Sequence, residues 1–391
     1  MDGLETNGAA RPAWNREEWE KLSLHEPPAL LDASVYSDPE RYRQEIEKVF
    51  YRSWLPVCPV ADVSEPRDFV VWEQLGQSVV IARRDDGVIA AWHNVCQHRG
   101  ARLVRESGRC HSGTFICPWH GFGYDLSGCV TNVPVRITFD ENEIQGLRTP
   151  EVGVRELWGF IWICLKPRTS LEEYLGPLMD ELGWYGLDRF ETRYRQQWRM
   201  HANWKTVVDA FNETWHVPMT HRDTLAHIVL WRQAHLRDLS PHSMMTIPIK
   251  RKTPPPEGED PRASMIGHFL AFPNTIFSCF PTHLQMWSVW PITPRESVMN
   301  VWGIVGPTPA GMTDDEWALR NDRDWEHFVE VARQDAEVLD DAGRVYDSIG
   351  YKRNMFNVHE GRLTLFHRML DEIISGGRWP SPDTDAVTHV S

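Results

Sequence analysis

Four residues in the first third of the chain, Cys96, His98, Cys117 and His120, have the types and spacing of metal ligands. They lie in HNVCQHRGARL and CPWHGFGYDLSG, each segment supplying one Cys and one His of the four, with Arg99–Ile116 between the pairs. A structural zinc accepts two cysteines and two histidines. Zinc fingers, however, usually take both cysteines from one arm and both histidines from the other. One of each per arm instead suits a [2Fe–2S] cluster, with two cysteines on one iron and two histidines on the other. That would be an electron-transfer centre. Gly100, Gly121 and Gly123 let the backbone approach such a cluster closely.

A second group lies in Asn203–His221, NWKTVVDAFNETWHVPMTH. If Glu213 to Val217 is helical, Glu213 and His216 share a face, since residues three apart are neighbours there. Pro218 disfavours helix at Val217 and is expected to end it. The chain can then bring His221 back toward His216. Two imidazoles beside carboxylates describe an open metal site. Far downstream, Asp335 falls on the apolar stripe Phe328, Ala332 and Leu339 of a long predicted helix. A buried unpaired acid is costly, so it wants a cation. That cation is either Arg333 or Arg323 in a salt bridge, or a metal shared with His216 and His221. Two histidines and one carboxylate on one face of an iron leave coordination positions open, the signature of non-haem Fe(II) oxygenases.

The elements that must position these residues follow from pattern. The chain has 391 residues, 41% apolar and 25% charged, enough for two folded cores. Its net charge of −14 argues against nucleic acid or an anionic membrane as partner. No apolar run of membrane-spanning length and no signal peptide is expected, which points to a cytoplasmic protein. Seven cysteines suit reduced thiols or metal ligands better than a disulfide framework. Cys58, Cys110, Cys129, Cys164 and Cys279 lack histidine partners and read as buried or surface thiols. Met1–Arg11 is expected to be disordered, and Trp14–Leu24 to be a short helix. Asp38–Ser53 reads as a helix with Asp38 as N-cap and Pro39 at its first position. From Trp54 to Pro167 short β-branched and aromatic runs predict a small antiparallel β domain, with Asp86-Gly87 as a hairpin turn and the two Cys-His pairs at hairpin tips. After Pro167, Leu171–Gly183 is predicted helical and Arg193–Ala202 a strand. A Pro-rich loop within Ile247–Ser264 is expected to be irregular. Four strand-like runs between Gly267 and Gly306 follow. Thr313–Ser348 is predicted helical, with a Thr313/Glu316 capping box. Glu360–Ile374 is a last helix, and Trp379–Ser391 a loose tail.

The CxH…CxxH pattern at Cys96, His98, Cys117 and His120, followed by NWK, Asp209, Glu213-x-x-His216, His221 and a late Asp335, resembles the large (alpha) subunit of Rieske non-haem iron oxygenases. The resemblance covers nearly the whole chain. It implies an α+β architecture: a segment 1–53 packing on the catalytic domain, a Rieske antiparallel β domain over 54–167, and a helix-grip (START-like) catalytic domain over 168–391. It implies a [2Fe–2S] cluster, Fe(II) and dioxygen. Electrons would come from NAD(P)H through a reductase or ferredoxin. A homotrimer is implied, alone or with a small β subunit, in which His120 of one subunit meets Glu213 of the next. Glu213 stands where the family usually has Asp, and some members acting on quaternary amines share this change. Asp209 matches a second family acid, whereas Ala210 stands where many members have Asn. The cavity residues expected are Phe211, Phe277, His283 and Trp287, then Val208, His227, Leu230, Trp231 and Met286. An aromatic lining suits a small hydrophobic, aromatic or polycyclic substrate to be hydroxylated, or a methylated, even quaternary, amine to be oxidatively demethylated. A pure Rieske electron carrier without catalytic iron is the reading of another class.

Overall fold

A computed structural model describes residues 29–251, 258, 261–280 and 283–377. The expectations for Met1–Arg11, Trp14–Leu24 and Trp379–Ser391 lie outside the described residues, as does most of the Pro-rich loop. The chain divides into two compact units, one of residues 51–171 and one joining residues 1–50 to 172–391.

The sheets of the smaller unit are all antiparallel. A four-stranded sheet runs in the order Ile89–His93, Gln77–Arg83, Asp68–Gln74, Gly108–Arg109. Three-stranded sheets join Gly153–Leu157 to Phe160–Cys164 and Leu55–Pro59, and Thr114–Ile116 to Gly123–Asp125 and Val130–Asn132. Trp92, Phe69, Phe115 and Tyr124 fill its core beside Cys96 and Cys117. Only one Cys-His pair occupies a hairpin tip. Cys117 and His120 join two paired strands, but the loop carrying Cys96 and His98 leads on to Gly108–Arg109, which pairs with Asp68–Gln74 instead.

The larger unit is built on a seven-stranded antiparallel sheet. Its strands are β1 (Glu191–Met200), β2 (His235–Leu239), β3 (His242–Pro248), β4 (Met265–Ala271), β5 (Thr275–Cys279), β6 (His283–Thr293) and β7 (Glu296–Val305), in the order β1-β7-β6-β5-β4-β3-β2. Besides Pro39–Gln44 and Pro177–Gly183, the unit carries the helices α1 (Trp204–Ala210), α2 (Val217–Thr220), α3 (Asp314–Val345) and α4 (Gly361–Ile374). This is the α+β helix-grip arrangement. The Thr313/Glu316 capping box starts α3, and the Asn203 side chain caps α1 by accepting from Lys205 N at 2.9 Å.

Residues 29–50 belong to this unit. Asp38 caps a helix at Pro39, but regular helix ends at Gln44 and widens into a π turn over Glu45–Val49. The fully buried Glu45 there accepts from Lys205 Nζ at 2.8 Å and Trp204 Nε1 at 2.9 Å. Removing one member of such a buried pair typically costs about 3–5 kcal/mol, because the other charge is stranded.

Asn203–His221 departs from the expected geometry. Helix α1 ends at Ala210, residues 211–216 form a turn, and α2 begins after His216 with Pro218 in its first turn. Pro218 therefore starts a helix rather than stopping one. A first-turn N–H has no helical partner in any case, so proline costs nothing there.

Candidate active site

The turn before α2 places the two histidines. The Glu213 carboxylate accepts from the backbone N–H of Trp215 and of His216, and from the His216 ring at Nδ1. Glu213 thus organises the turn that carries His216. His221 closes α2 with its N–H on Val217 O at 3.0 Å. The two rings stand 5.2 Å apart at 73°.

Asp335 arrives from α3. It is buried, and its Oδ1 lies 2.9 Å from His221 Nε2 and 3.7 Å from His216 Nε2. One ligand atom from each of the three residues falls within 4.8 Å of the others. Neither proposed arginine pairs with Asp335: Arg333 bonds Glu330 and Glu337 on the exposed side of α3, and Arg323 donates to Leu319 O.

The donor set fits a divalent iron. Each histidine uses Nδ1–H in a fixed bond, His216 to Glu213 and His221 to Gln334 Oε1 at 2.9 Å. Both Nε2 atoms are thereby left facing Asp335, the arrangement by which outer partners fix imidazole ligands. Burial works against charge on His216, but the Glu213 and Asp335 carboxylates outweigh it and push the ring up to about 9. The cluster of acids calls for a cation at that point. Sequence reasoning missed Gln334. Its only signal was an uncharged polar residue next to the anomalous acid.

The three residues open into a cavity of about 300 Å³. Phe211, His283 and Trp287 line it as expected, with Phe328 and His268 added. Phe211 and Phe328 flank Trp287 at centroid distances of 4.3 and 5.7 Å. Phe277 does not line it. Its neighbour Ser278 does, and adjacent strand residues point to opposite faces. Phe277 pairs with Phe269, on whose face Tyr185 packs edge-on at 6.0 Å. Met286 is turned away by the same parity, and Val208, His227, Leu230 and Trp231 are also not among the lining residues. Asp209 stands apart from the three-residue cluster. Tyr36 OH donates to it at 2.6 Å and His367 Nε2 at 3.0 Å. It lines a second, polar cavity of about 240 Å³, which Glu213 also borders.

In the smaller unit two loops repeat one design. Cys96 N donates to Ala101 O and Gly100 N to Cys96 O; Cys117 N donates to Phe122 O and Gly121 N to Cys117 O. Gly100 and Gly121 both sit at φ +74°, where a side chain is strained. The two cysteines are buried and the His98 and His120 rings lie 4.6 Å apart. Among the described residues His98 Nδ1 is buried without a hydrogen-bond partner, as a ring nitrogen reserved for a metal would be. Tyr124 OH donates to Cys96 Sγ at 3.2 Å. These residues fit a two-Cys, two-His cluster. His120 and Trp119 are exposed.

Two family descriptions match the chain. Residues 53–141 match the Rieske [2Fe-2S] domain and residues 187–376 the ring hydroxylating alpha subunit catalytic domain. Together they imply a Rieske cluster and a mononuclear iron. Among curated relatives, biphenyl 2,3-dioxygenase subunit alpha of Rhodococcus jostii (strain RHA1) is 29% identical over 73% of this chain and 62% of its own length. Chloroplastic choline monooxygenase of Arabidopsis thaliana is 24% identical over 86% of this chain and 81% of its own. The chain thus spans a little over three-fifths of the dioxygenase subunits it matches first. A solved quaternary ammonium Rieske monooxygenase superposes with a TM-score of 0.76 at 19% identity, covering 88% of this chain and 95% of that one, a likeness of fold alone.

Proposed function

Given that this chain belongs to the large (alpha) subunits of the Rieske oxygenases, we propose that it is a terminal oxygenase that hydroxylates an aromatic or polycyclic substrate. The observation that carries this reading is the His216, His221 and Asp335 cluster at the wall of an apolar cavity. When bound, a histidine-ligated [2Fe–2S] cluster supplies single electrons and an open-sided iron(II) supplies dioxygen activation. Cys96, His98, Cys117 and His120 would hold the first, and His216, His221 and Asp335 the second. Glu213 and Gln334 keep the ligand rings oriented. Phe211, Trp287 and Phe328 exclude water and seat a planar substrate.

Exposed apolar residues on both units support assembly with further copies of the chain. The smaller unit exposes Trp119 and Ile137, the larger Trp215 and Met219. In the homotrimer proposed, His120 of one copy donates to Glu213 of the next. An NAD(P)H-dependent reductase or ferredoxin is the electron donor, with or without a small β subunit beside the trimer. Among the described residues no helix is long and apolar enough to cross a membrane.

Oxidative demethylation is a second reading, favoured by Glu213 in place of Asp and by the three rings, which also suit a quaternary ammonium group. The test is turnover of an aromatic and methylated-amine panel under ¹⁸O₂ with a reductase. Labelled diols or phenols support hydroxylation, and formaldehyde release supports demethylation. Protein that keeps its cluster but holds no third iron per chain would be an electron carrier instead.

A further inference from the structure

We propose that His268 is a substrate-positioning hydrogen-bond donor in the apolar cavity, fixed in its donating form by Arg362, and that the substrate's apolar body therefore carries an accepting oxygen, a carboxylate in preference to a ketone. This rests on the oxygenase reading only in taking the cavity as the substrate site.

Arg362 sits in the first turn of α4 and is fully buried. Among the described residues no carboxylate pairs with it. Its Nε donates to Ser243 Oγ at 3.0 Å, its Nη1 to His268 Nδ1 at 3.4 Å, and its Nη2 has no partner among the described residues. A guanidinium can only donate, so His268 Nδ1 must accept and carries no proton. Burial first, then the neighbouring Arg362 and His216, hold His268 well below its ordinary value, so the ring is neutral. Its proton therefore lies on Nε2.

Strand register aims that ring. His268 pairs with Met245 on β3 and Ser278 on β5, and all three line the cavity. Among the described residues nothing accepts from Nε2. The ring packs edge-on against Trp287 at 5.7 Å, whose own indole N–H is buried without a partner among the described residues. A donor facing an apolar chamber, backed by a cation lacking its counter-charge, is a costly arrangement unless a ligand completes it. A carboxylate answers both the donor and the charge. A ketone answers the donor only, and a hydrocarbon neither. Metal coordination by His268 is not needed, since the three-residue cluster already has its ligands.

The test is isothermal titration calorimetry on the full chain with both metal centres loaded, without oxygen or electron donor. The probes are 4-methylbenzoate, 4′-methylacetophenone and 4-ethyltoluene, which share a body and differ in the acceptor. Wild type should bind them in that order, with the carboxylate at least about tenfold tighter than the hydrocarbon, the scale of one charge-assisted hydrogen bond. His268→Leu should erase the difference while leaving the hydrocarbon within about threefold, and His268→Gln should restore part of it through its amide N–H. Arg362→Met should lower the carboxylate to the ketone's affinity; if that variant does not fold, the His268 pair still decides, with the cluster spectrum as the check on folding. Equal binding of the three probes by wild type overturns the proposal, as does an unchanged ratio in His268→Leu. Carboxylate binding without any incorporation of ¹⁸O would instead count against the oxygenase reading.

Discussion

In the smaller unit the proposed cluster ligands all fall within Cys96–His120, on two loops closed by their own backbone hydrogen bonds, with His120 exposed. In the larger unit a turn and a helix remote in sequence supply the proposed iron ligands, and His221 and Asp335 are buried. The first site is local and faces outward. The second is assembled by tertiary packing and faces a chamber. An electron-transfer centre must be approached, whereas an oxygen-activating centre must exclude water. Each site's exposure follows from which of these it serves.

Breaking either site should leave the other intact, and this is the largest effect expected. Asp335→Ala should cut turnover by at least about 10³-fold, the several kcal/mol a metal contributes, with the visible spectrum of the cluster unchanged. Cys96→Ser should bleach that spectrum while metal analysis still finds about one iron per chain instead of about three. Normal turnover in Asp335→Ala would return that residue to a structural role.

The proposed link between the two sites is tested next. Glu213→Gln keeps size but can accept through only one oxygen, while Glu213 now serves the His216 ring and two backbone N–H groups. Stopped-flow oxidation of the reduced cluster, with substrate and oxygen present, should slow by about 10²-fold or more, the loss of a charge-assisted bond on a ligand ring. Glu213→Asp should retain part of the rate. A wild-type rate in Glu213→Gln would shift the role to Asp209.

Gln334→Leu sharpens the contrast inside the larger unit. It frees the His221 ring without removing a ligand, so iron affinity should fall by about 10–100-fold, read by competition with a chelator. The smallest effect concerns acid. Buried His242 donates from Nε2 to Tyr174 O and accepts the Phe272 N–H at Nδ1, so it must be neutral when folded. Burial holds it down to about 4. The unfolded chain binds a proton at about 6.5, so stability is complete above that pH and drains away as pH falls toward 4. Between pH 7 and 5.5 the larger unit should lose about 1 kcal/mol through this residue. Thermal unfolding across that range should show the slope, and His242→Gln should flatten it.

The contrast also explains what could be read from the sequence. Cys96, His98, Cys117 and His120 carry their own loop chemistry with them, and the spacing sufficed. Asp335 was visible because a charge on an apolar stripe breaks a local rule. Phe277 was misassigned because which side of a strand a residue faces depends on register, and the sequence around Phe277 and Ser278 is apolar enough to hide it. The Arg362–His268 bond joins α4 to β4 and leaves no trace in either segment alone. The turn at 211–216 is hidden in the sequence because a spacing of three suits helix and turn alike, and the Glu213 bonds to backbone N–H groups distinguish them.

His221 and Gln334 stand 113 residues apart in the chain, and Asp335 follows Gln334 directly. An ion held by His216, His221 and Asp335 is therefore also a cross-link, tying the strand-bearing middle of the unit to its long helix. Unlike a covalent bridge it is released on unfolding, so it would stabilise the fold by the free energy of its binding rather than by constraining the unfolded ensemble. Affinity for the metal and survival of the fold become one linked equilibrium. A cell short of iron would then lose this protein to proteolysis, in addition to losing its activity.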